Sequence, residues 1–406
     1  MASLVKWART LIRRAPSPPL RFPTTGFDTF PPQAVVEEEQ FDEFKSGIYY
    51  PVNIGDVYAS KYQILGKLGF GTTSTVWLAR NLLEHQHVVL KVYTQSQESD
   101  DEFQIYDHLN KVNTSNPGYR HLRTALDQLV LPRPSGDHRC LVLKPMWDSW
   151  RDLLRHDPSR RFTEVLLKAG IKQLLLALDC LHTECKLVHT DIKADNILNE
   201  LVDEGVLEAF TKAELETPSP RKFVGGQTVY RSRRFERPRK FGDMILSDFG
   251  TAVRGDIKRN HIAQPDVYRS PEIMLKAEWS YPVDIWNVGC MIWDLFEGKH
   301  LFYGDYSSGK AYTTRAHLAE VIGMLGPPPL DLLHRGIRSS EFFAEDGRWI
   351  ADVEIPKDIS LEASEERLEG ENKAMFLEFM RGMLQWRPED RKTARELAED
   401  PWLNSP

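Results

Sequence analysis

The sequence has few cysteines, no long apolar run and no excess of positive charge. Four cysteines in 406 residues show neither the density of a disulfide framework nor the spacing of zinc ligands, which favours a reducing compartment. No apolar run approaches the ~18 residues that a membrane-spanning helix needs. The net charge of −7 disfavours binding along nucleic acid and mildly favours basic partners. We therefore expect no membrane span and no direct nucleic-acid contact.

Acidic residues are also absent from the first 27 positions, where lysine and arginine recur. Leu4, Ala8, Leu11, Ile12 and Ala15 follow helical spacing, so this stretch is either a cationic amphipathic helix similar to a mitochondrial presequence or a disordered basic tail. Proline-rich segments and the acidic run at 37–44 follow. We expect a flexible extension over residues 1–44, of which residues 1–43 are dispensable for activity, with regular structure beginning near Tyr58.

A glycine-rich turn lies between two alternating apolar segments in "YQILGKLGFGTTSTVWLAR", residues 62–80, which predicts a β-hairpin. Gly69 and Gly71 lack a Cβ, so backbone amides there can approach an anion closely. The next apolar run, "VVLK", ends at Lys91, which is costly to bury unpaired and therefore requires a carboxylate partner. We assign Glu102 as that partner, with Asp101 as the alternative.

The stretch "HTDIKADN", residues 189–196, concentrates polar groups behind an apolar run. Asp191 stands five residues before Asn196, as in the H-R-D-L-x-x-x-N catalytic loop of protein kinases. "ILSDFG", which ends at Gly250, and "SPE" at 270–272 follow in the order of that family's D-F-G and A-P-E motifs. With the glycine-rich turn and Lys91, five motifs in this order resemble a protein kinase.

This resemblance implies an α+β, bilobal kinase fold that uses ATP and Mg²⁺. It implies a small β-rich N-lobe over 45–147 and a larger, mainly helical C-lobe over 148–404. Asp191 and Lys193 then act on the substrate hydroxyl and the transferring phosphoryl group, Lys91 holds the phosphates with Glu102 as its carboxylate partner, and Asn196 and Asp248 bind the metal. The resemblance also implies nucleotide contacts from Leu68, Gly69, Phe70, Gly71, Thr72, Thr73, Ser74, Val76, Val89, Lys91, Leu143, Lys144, Met146 and Leu198.

The chain departs from the kinase pattern at a few positions. Ser74 replaces the third glycine of the turn, Val89 stands where alanine is usual, and Lys144 occupies a hinge position that is usually glutamate. These changes remove no catalytic group. We therefore expect a working phosphotransferase, and the rival hypothesis is a pseudokinase scaffold without turnover.

Four segments narrow the resemblance: "LGFGTTSTVWLAR", "HTDIKADNIL", "YRSPEIM" and "HLAEVIGMLGPPP". They are similar to the serine/arginine-rich-protein-specific kinases (SRPK), especially fungal members, within the CMGC group. This implies a monomer that phosphorylates serines in basic, Arg/Ser-rich splicing proteins in the cytoplasm and nucleus. Clk-type specificity is the alternative substrate class, and a mitochondrial location is the alternative if the N-terminus is a presequence.

The catalytic loop lacks the arginine that commonly pairs with an activation-loop phosphate, because Thr190 stands in its place. The segment between Gly250 and Ser270 also lacks serine, and its hydroxyl side chains are those of Thr251 and Tyr268. The cationic receiver and the obvious phosphorylation site are thus absent together. We expect an enzyme that is constitutively active, as SRPK-type kinases are.

An insertion of the C-lobe is predicted at about residues 200–242, because kinases need only a short hairpin between Asn196 and Asp248. It contains the basic segment "YRSRRFERPRK" at 230–240. Four interpretations stay open: a nuclear-import patch, a docking element, an autophosphorylated Arg-Ser site at Ser232, or a solvated basic strand.

Overall fold

The alternating segments at 62–80 form the first hairpin of a six-stranded antiparallel sheet in the computed structural model of the chain, which describes residues 15–95, 98–304 and 311–405. The strands stand in the order β1-β2-β3-β4-β6-β5. Apolar side chains of Ile64, Trp77, Leu90 and Val142 form the core on one face of this sheet. The strands are β1 (Val57–Tyr58), β2 (Tyr62–Phe70), β3 (Ser74–Asn81), β4 (Gln86–Tyr93), β5 (Ala125–Leu131) and β6 (His138–Leu143).

Regular structure begins well before Tyr58. A 3₁₀ helix spans Glu37–Gln40, α1 spans Asp42–Lys45, and α2 (Glu98–Lys111) follows β4. The sequence predicted a flexible extension over 1–44, but within its described part Val36 and Glu38 are buried. Residues 1–14, which carry most of the presequence-like pattern, lie outside the described residues.

Directly before the catalytic loop lie β7 (Met146–Ser149), α3 (Trp150–His156), α4 (Glu164–Thr183) and β8 (Leu187–Val188), and β9 (Ile197–Leu201) follows it. The hydroxyl of Thr163 accepts the Leu166 N–H and so caps the start of α4. An apolar stripe then recurs at helical spacing and is fully buried: Leu167, Ile171, Leu174 and Leu178. This buried helix leads directly into β8 and the residues after it.

The predicted insertion has secondary structure of its own: α5 (Glu204–Glu216), β10 (Arg221–Val224), β11 (Gln227–Tyr230) and then β12 (Phe241–Leu246). The carboxylate of Asp203 accepts the Gly205 N–H at the start of α5. Gly225 and Gly226 have φ of 57° and 80°, as a two-residue turn between antiparallel strands requires.

The remaining elements are mainly helical. In α7, Trp286 and Trp293 are buried, in keeping with the core role that helical spacing predicts for them. Gly298 ends this helix with φ 72°. The elements are β13 (Val253–Arg254), α6 (Pro271–Met274), α7 (Pro282–Glu297), α8 (Thr314–Leu325), α9 (Leu330–Arg335), α10 (Leu361–Ser364), α11 (Gly370–Arg381), α12 (Ala394–Ala398) and α13 (Pro401–Asn404).

The chain divides into two compact units. Unit 1 contains the described residues up to Asp107, together with Thr124–Trp147 and Glu200–Gly242. Unit 2 contains His108–Arg123, Asp148–Asn199 and the described residues from Asp243 onward. The sequence assigned the insertion to the C-lobe, whereas the structure groups it with the sheet of unit 1. Within the described ranges, no helix combines the length and apolarity needed to cross a membrane.

Gly66 on β2 provides a test of how the insertion is attached to the sheet. A Cβ at this position would lie 2.7 Å from Cε1 of the buried Phe210 on α5. We expect Gly66→Ala to destabilise the protein by ~1–3 kcal/mol through overpacking, measured as a lower midpoint of thermal unfolding. Gly69→Ala is the matched control, because a Cβ there meets no atom within 4 Å.

In a Phe210→Ala background, Gly66→Ala should lower the midpoint of thermal unfolding only slightly, since the obstructing ring is then absent. An equal cost in both backgrounds would show that Phe210 does not set the spacing between α5 and β2.

Candidate active site

The glycine-rich turn of unit 1 has room for an anion. The Gly71 N–H donates to Ser74 O at 2.8 Å and closes the turn between β2 and β3. A Cβ on Gly69 or Gly71 would meet no atom within 4 Å, so the backbone there borders open space. Thr72 and Thr73 are exposed at the tip, whereas Ser74 is buried. Leu68, Phe70 and Val76, on the flanking strands, are partly buried. This geometry fits a phosphate-binding turn.

Tyr49 supports the turn from the N-terminal side, and no motif of the sequence pointed to it. Its hydroxyl lies 2.6 Å from Gly71 O and 3.0 Å from Thr72 O. Burial raises the pKa of Tyr49 well above its usual value. Behind the tip, the Thr94 N–H donates to Thr73 O at 2.8 Å. The turn is therefore fixed through the carbonyl groups of Gly71, Thr72 and Thr73.

Lys91 on β4 pairs with Glu102 on α2. Its Nζ lies 3.0 Å from Oε1 and 3.4 Å from Oε2 of that carboxylate. Glu102 is buried, whereas Asp101, the alternative partner, is exposed. An ammonium group held in this way can neutralise nucleotide phosphates while its own carboxylate partner fixes its position.

The expected hinge begins at the end of β6. Val89 and Leu143 are opposite each other on β4 and β6, and both are buried. Lys144 replaces the glutamate that is usual here, and its Nζ lies 2.5 Å from Oε1 of Glu200, at the start of the insertion. Met146 is partly buried at the start of β7. The basic hinge residue is thus paired with an acid that sequence reasoning did not find.

In unit 2, the buried carboxylate of Asp284 shapes the catalytic loop. It accepts the backbone N–H groups of His189 and Thr190, each at 2.8 Å, and lies 2.9 Å from Nε2 of His182. Thr190 has φ 69°, a left-handed conformation that β-branched residues rarely adopt. The two hydrogen bonds to Asp284 hold the backbone in this conformation.

Asp191 follows this strained residue and is the centre of a polar cluster. Lys193 Nζ lies 2.7 Å from its Oδ2, and the Asn196 side-chain N–H donates to the same oxygen at 2.8 Å. The amide nitrogen of Asn196 also lies 2.8 Å from the Asp191 carbonyl. Because the nitrogen is engaged, the amide oxygen of Asn196 is the atom suited to a metal.

Asp248 lies just after β12, with φ 66° and an exposed side chain. The preceding Ser247 N–H donates to Asn196 O at 2.9 Å, and the following Phe249 packs against the His189 ring with centroids 5.2 Å apart. One carboxylate and one amide oxygen form a donor set that fits Mg²⁺ bound together with nucleotide phosphates. Leu198, predicted to contact the nucleotide, is partly buried on β9.

The chain is similar to known proteins over most of its length. A protein kinase domain family model matches residues 62–403. The chain belongs to the protein kinase family. A serine/threonine protein kinase of Aspergillus fumigatus is 44% identical over 395 residues, which cover 96% of each chain. The SRPK serine/threonine-protein kinase of Physarum polycephalum is 29% identical over 90% of this chain and 91% of its own.

Proteins of lower sequence identity that match this chain are also kinases. Protein kinase dsk1 of Schizosaccharomyces pombe is 25% identical over 90% of this chain and 85% of its own. A crystal structure of a kinase domain, 21% identical, superposes with a TM-score of 0.68 over 88% of this chain and 99% of that one, which shows the shared fold. The predictions of an α+β kinase fold and of a serine/threonine protein kinase are confirmed.

Neutral hydrogen bonds join the catalytic loop to the activation segment at Thr190, where most kinases have an arginine. Thr190 Oγ1 donates to the backbone carbonyl of Thr251 at 2.9 Å, and Thr251 Oγ1 donates to the carbonyl of His189 at 3.3 Å. Next to this pair, Val188 of β8 and Val253 of β13 are opposite each other in an antiparallel bridge. The catalytic loop therefore holds the start of the activation segment directly.

A buried ion pair holds the far end of that segment. Arg391 donates to both carboxylate oxygens of Glu272 at 2.7 Å, and both side chains are fully buried. The Arg391 guanidinium also lies 5.1 Å from the centre of the Trp286 ring. Removing one member of such a pair typically costs about 3–5 kcal/mol, so these residues have a scaffold role.

The Thr190 hydroxyl can be tested by its removal. Thr190→Val keeps the β-branched shape but leaves the Thr251 carbonyl without its donor, at a cost of ~1 kcal/mol or more. We expect kcat to fall about tenfold, with KM for ATP unchanged, because the hydroxyl contacts the activation segment.

Thr190→Ser is the matched control, because it retains the hydroxyl and should keep turnover within about twofold. Equal rates for the valine variant and the wild type would refute the role given to this hydrogen bond.

Proposed function

We propose that this kinase transfers the γ-phosphoryl group of ATP, with Mg²⁺, to serines flanked by arginines in Arg/Ser-rich proteins, and that it does so without activation-loop phosphorylation. The observation that carries this proposal is its similarity over 90% of the chain to the Physarum polycephalum SRPK kinase, combined with threonine at position 190. The net charge of −7 supports it, because an acidic enzyme attracts a cationic substrate.

The chemistry follows from the residues of each unit. The substrate hydroxyl oxygen forms a bond to the γ-phosphorus while the bond to the β,γ-bridging oxygen breaks and ADP leaves. Asp191 receives the hydroxyl proton, and Lys193 offsets charge on the transferring group. Asn196 and Asp248 would bind Mg²⁺, which neutralises phosphate charge when it is present. Lys91, fixed by Glu102, and the glycine-rich turn would bind the phosphates.

A peptide array on bacterially expressed protein tests the substrate class. We expect kcat/KM for serines in Arg-Ser contexts to exceed that for Ser-Pro and acidic contexts by at least about tenfold, or ~1.4 kcal/mol of transition-state stabilisation. Preference for Ser-Pro or acidic peptides would contradict the proposal.

The same assay needs variants that separate chemistry from folding. Lys91→Met and Asp248→Asn should abolish transfer in folded protein, because they remove phosphate and metal contacts. Asp243→Asn, five residues before Asp248, is the matched control. Its carboxylate pairs with the exposed Arg120 and accepts the Gln173 side-chain N–H at 3.2 Å, and asparagine keeps an oxygen acceptor there, so turnover should be retained.

A further inference from the structure

The glycine-rich strand of unit 1 carries a fully buried cation. Lys67 on β2 has no exposed side-chain surface, and its Nζ lies 3.0 Å from Oε2 of Glu37 and also contacts the carboxylate of Glu38. Nζ further donates to the carbonyl of Tyr230 at 3.1 Å. A buried ammonium group depends on such partners, so the strand next to the phosphate-binding turn requires the 3₁₀ helix Glu37–Gln40, which we term the acidic turn.

The same acidic turn also binds the insertion. The carboxylate of Glu37 accepts the Ser232 backbone N–H at 2.8 Å and the Ser232 hydroxyl at 2.6 Å. Glu39 of the acidic turn makes a second contact with the insertion, because Lys222 Nζ on β10 lies 2.8 Å from its Oε1. The acidic turn therefore connects the strand that carries Lys67 to the basic segment of the insertion.

Charges around this junction are balanced. The ion pairs join four carboxylates to four cations: Glu37, Glu38, Glu39 and Glu214 with Lys67, Lys222, Arg221 and Arg233. Burial already raises the pKa of Glu38, against the opposing effect of Lys67. Further negative charge at this place therefore faces repulsion from carboxylates whose cations are already engaged.

We propose that Ser232 is a phosphorylation site for this kinase acting on a second copy of itself, and that a phosphate there releases the acidic turn from Lys67 and from the insertion. The substrate part rests on the proposed function, because Arg231 and Arg233 flank this serine in the sequence. Ser232 is partly exposed, and residues 231–238 form neither helix nor strand. Backbone hydrogen bonds from Arg231 to Pro220 and from Arg233 to Lys67 hold the segment.

Phosphorylation replaces the hydroxyl that donates to Glu37 with a negatively charged group. Oγ of Ser232 forms a bond to the γ-phosphorus of ATP, the bond to the bridging oxygen breaks, ADP leaves, and the hydroxyl proton passes to Asp191 of the acting molecule. The oxygen that donated to Glu37 then carries a group with a charge of about −1.5 to −2. Carboxylate and phosphate cannot share that position, so Glu37 must leave, and the exposed Arg231 becomes a partner for the phosphate.

The test uses an inactive full-length substrate. Asp248→Asn protein is incubated with a trace of wild-type enzyme, ATP and Mg²⁺, and phosphosites are located by mass spectrometry. We expect phosphate on Ser232 and a clear loss of hydrogen-exchange protection over residues 34–41. Ser219 is the matched internal control. It also donates to a glutamate, Glu214, at 2.6 Å but is buried and lies between prolines, so it should stay unmodified.

The outcomes separate this inference from the proposed function. If an Arg-Ser peptide is phosphorylated in the same tube while Ser232 is not, the inference is wrong and the proposed function stands. If neither is phosphorylated, both fail. Phosphoserine installed at position 232 by genetic-code expansion tests the release of the acidic turn independently of the kinase reaction. Unchanged hydrogen-exchange protection of residues 34–41 in that protein would refute the release. Ser232→Ala incubated in parallel should keep its protection.

Discussion

The catalytic loop depends on one buried carboxylate. Asp284 lies fully inside unit 2 and accepts the backbone N–H groups of His189 and Thr190. A carboxylate buried without such partners would cost several kcal/mol, so loop and helix α7 stabilise each other. The His189 ring, held in this way, lies 3.1 Å from the Ser247 carbonyl, directly before Asp248. A single buried charge thus fixes the backbone that presents Asp191 and links it to the residue before the metal-ligand candidate.

The same loop conformation explains how an activation segment can be held without phosphate. At φ 69° the Thr190 hydroxyl reaches the Thr251 carbonyl, and the Thr251 hydroxyl returns to His189. Near the other end, Tyr268 donates to Asp294 at 2.5 Å, and Asn287 donates to the Tyr268 carbonyl at 2.8 Å. Both hydroxyl side chains of this segment are engaged in hydrogen bonds, and burial raises the pKa of Tyr268 well above its ordinary value.

Contiguous motifs made much of this kinase predictable, because each concentrates its chemistry within a few residues. The turn at Gly69 and Gly71, the lysine at the end of an apolar strand and the Asp191 to Asn196 spacing all specify local geometry. The sequence also showed that Thr190 stands where most kinases have the arginine that binds an activation-loop phosphate. It could not indicate that the Thr190 hydroxyl would bond the Thr251 carbonyl, because that contact depends on a left-handed backbone set by Asp284.

Several contacts between residues distant in sequence were not predicted. Tyr49 at the glycine-rich turn, Glu200 beside Lys144, and the acids on Lys67 lie far from their partners and follow no periodic pattern. Proline and charge in the first 44 residues predicted a flexible extension. That expectation did not account for Lys67, a buried cation whose need for carboxylates orders the segment around Glu37.

We infer that this kinase holds its catalytic loop by a buried carboxylate and neutral hydrogen bonds, with no activating phosphate. The most direct test is the turnover of phosphatase-treated protein, checked by mass spectrometry for unmodified Thr251 and Tyr268. The account predicts a rate close to that of untreated protein. A loss of about tenfold or more, restored by rephosphorylation and equal to ~1.4 kcal/mol of transition-state stabilisation, would contradict it.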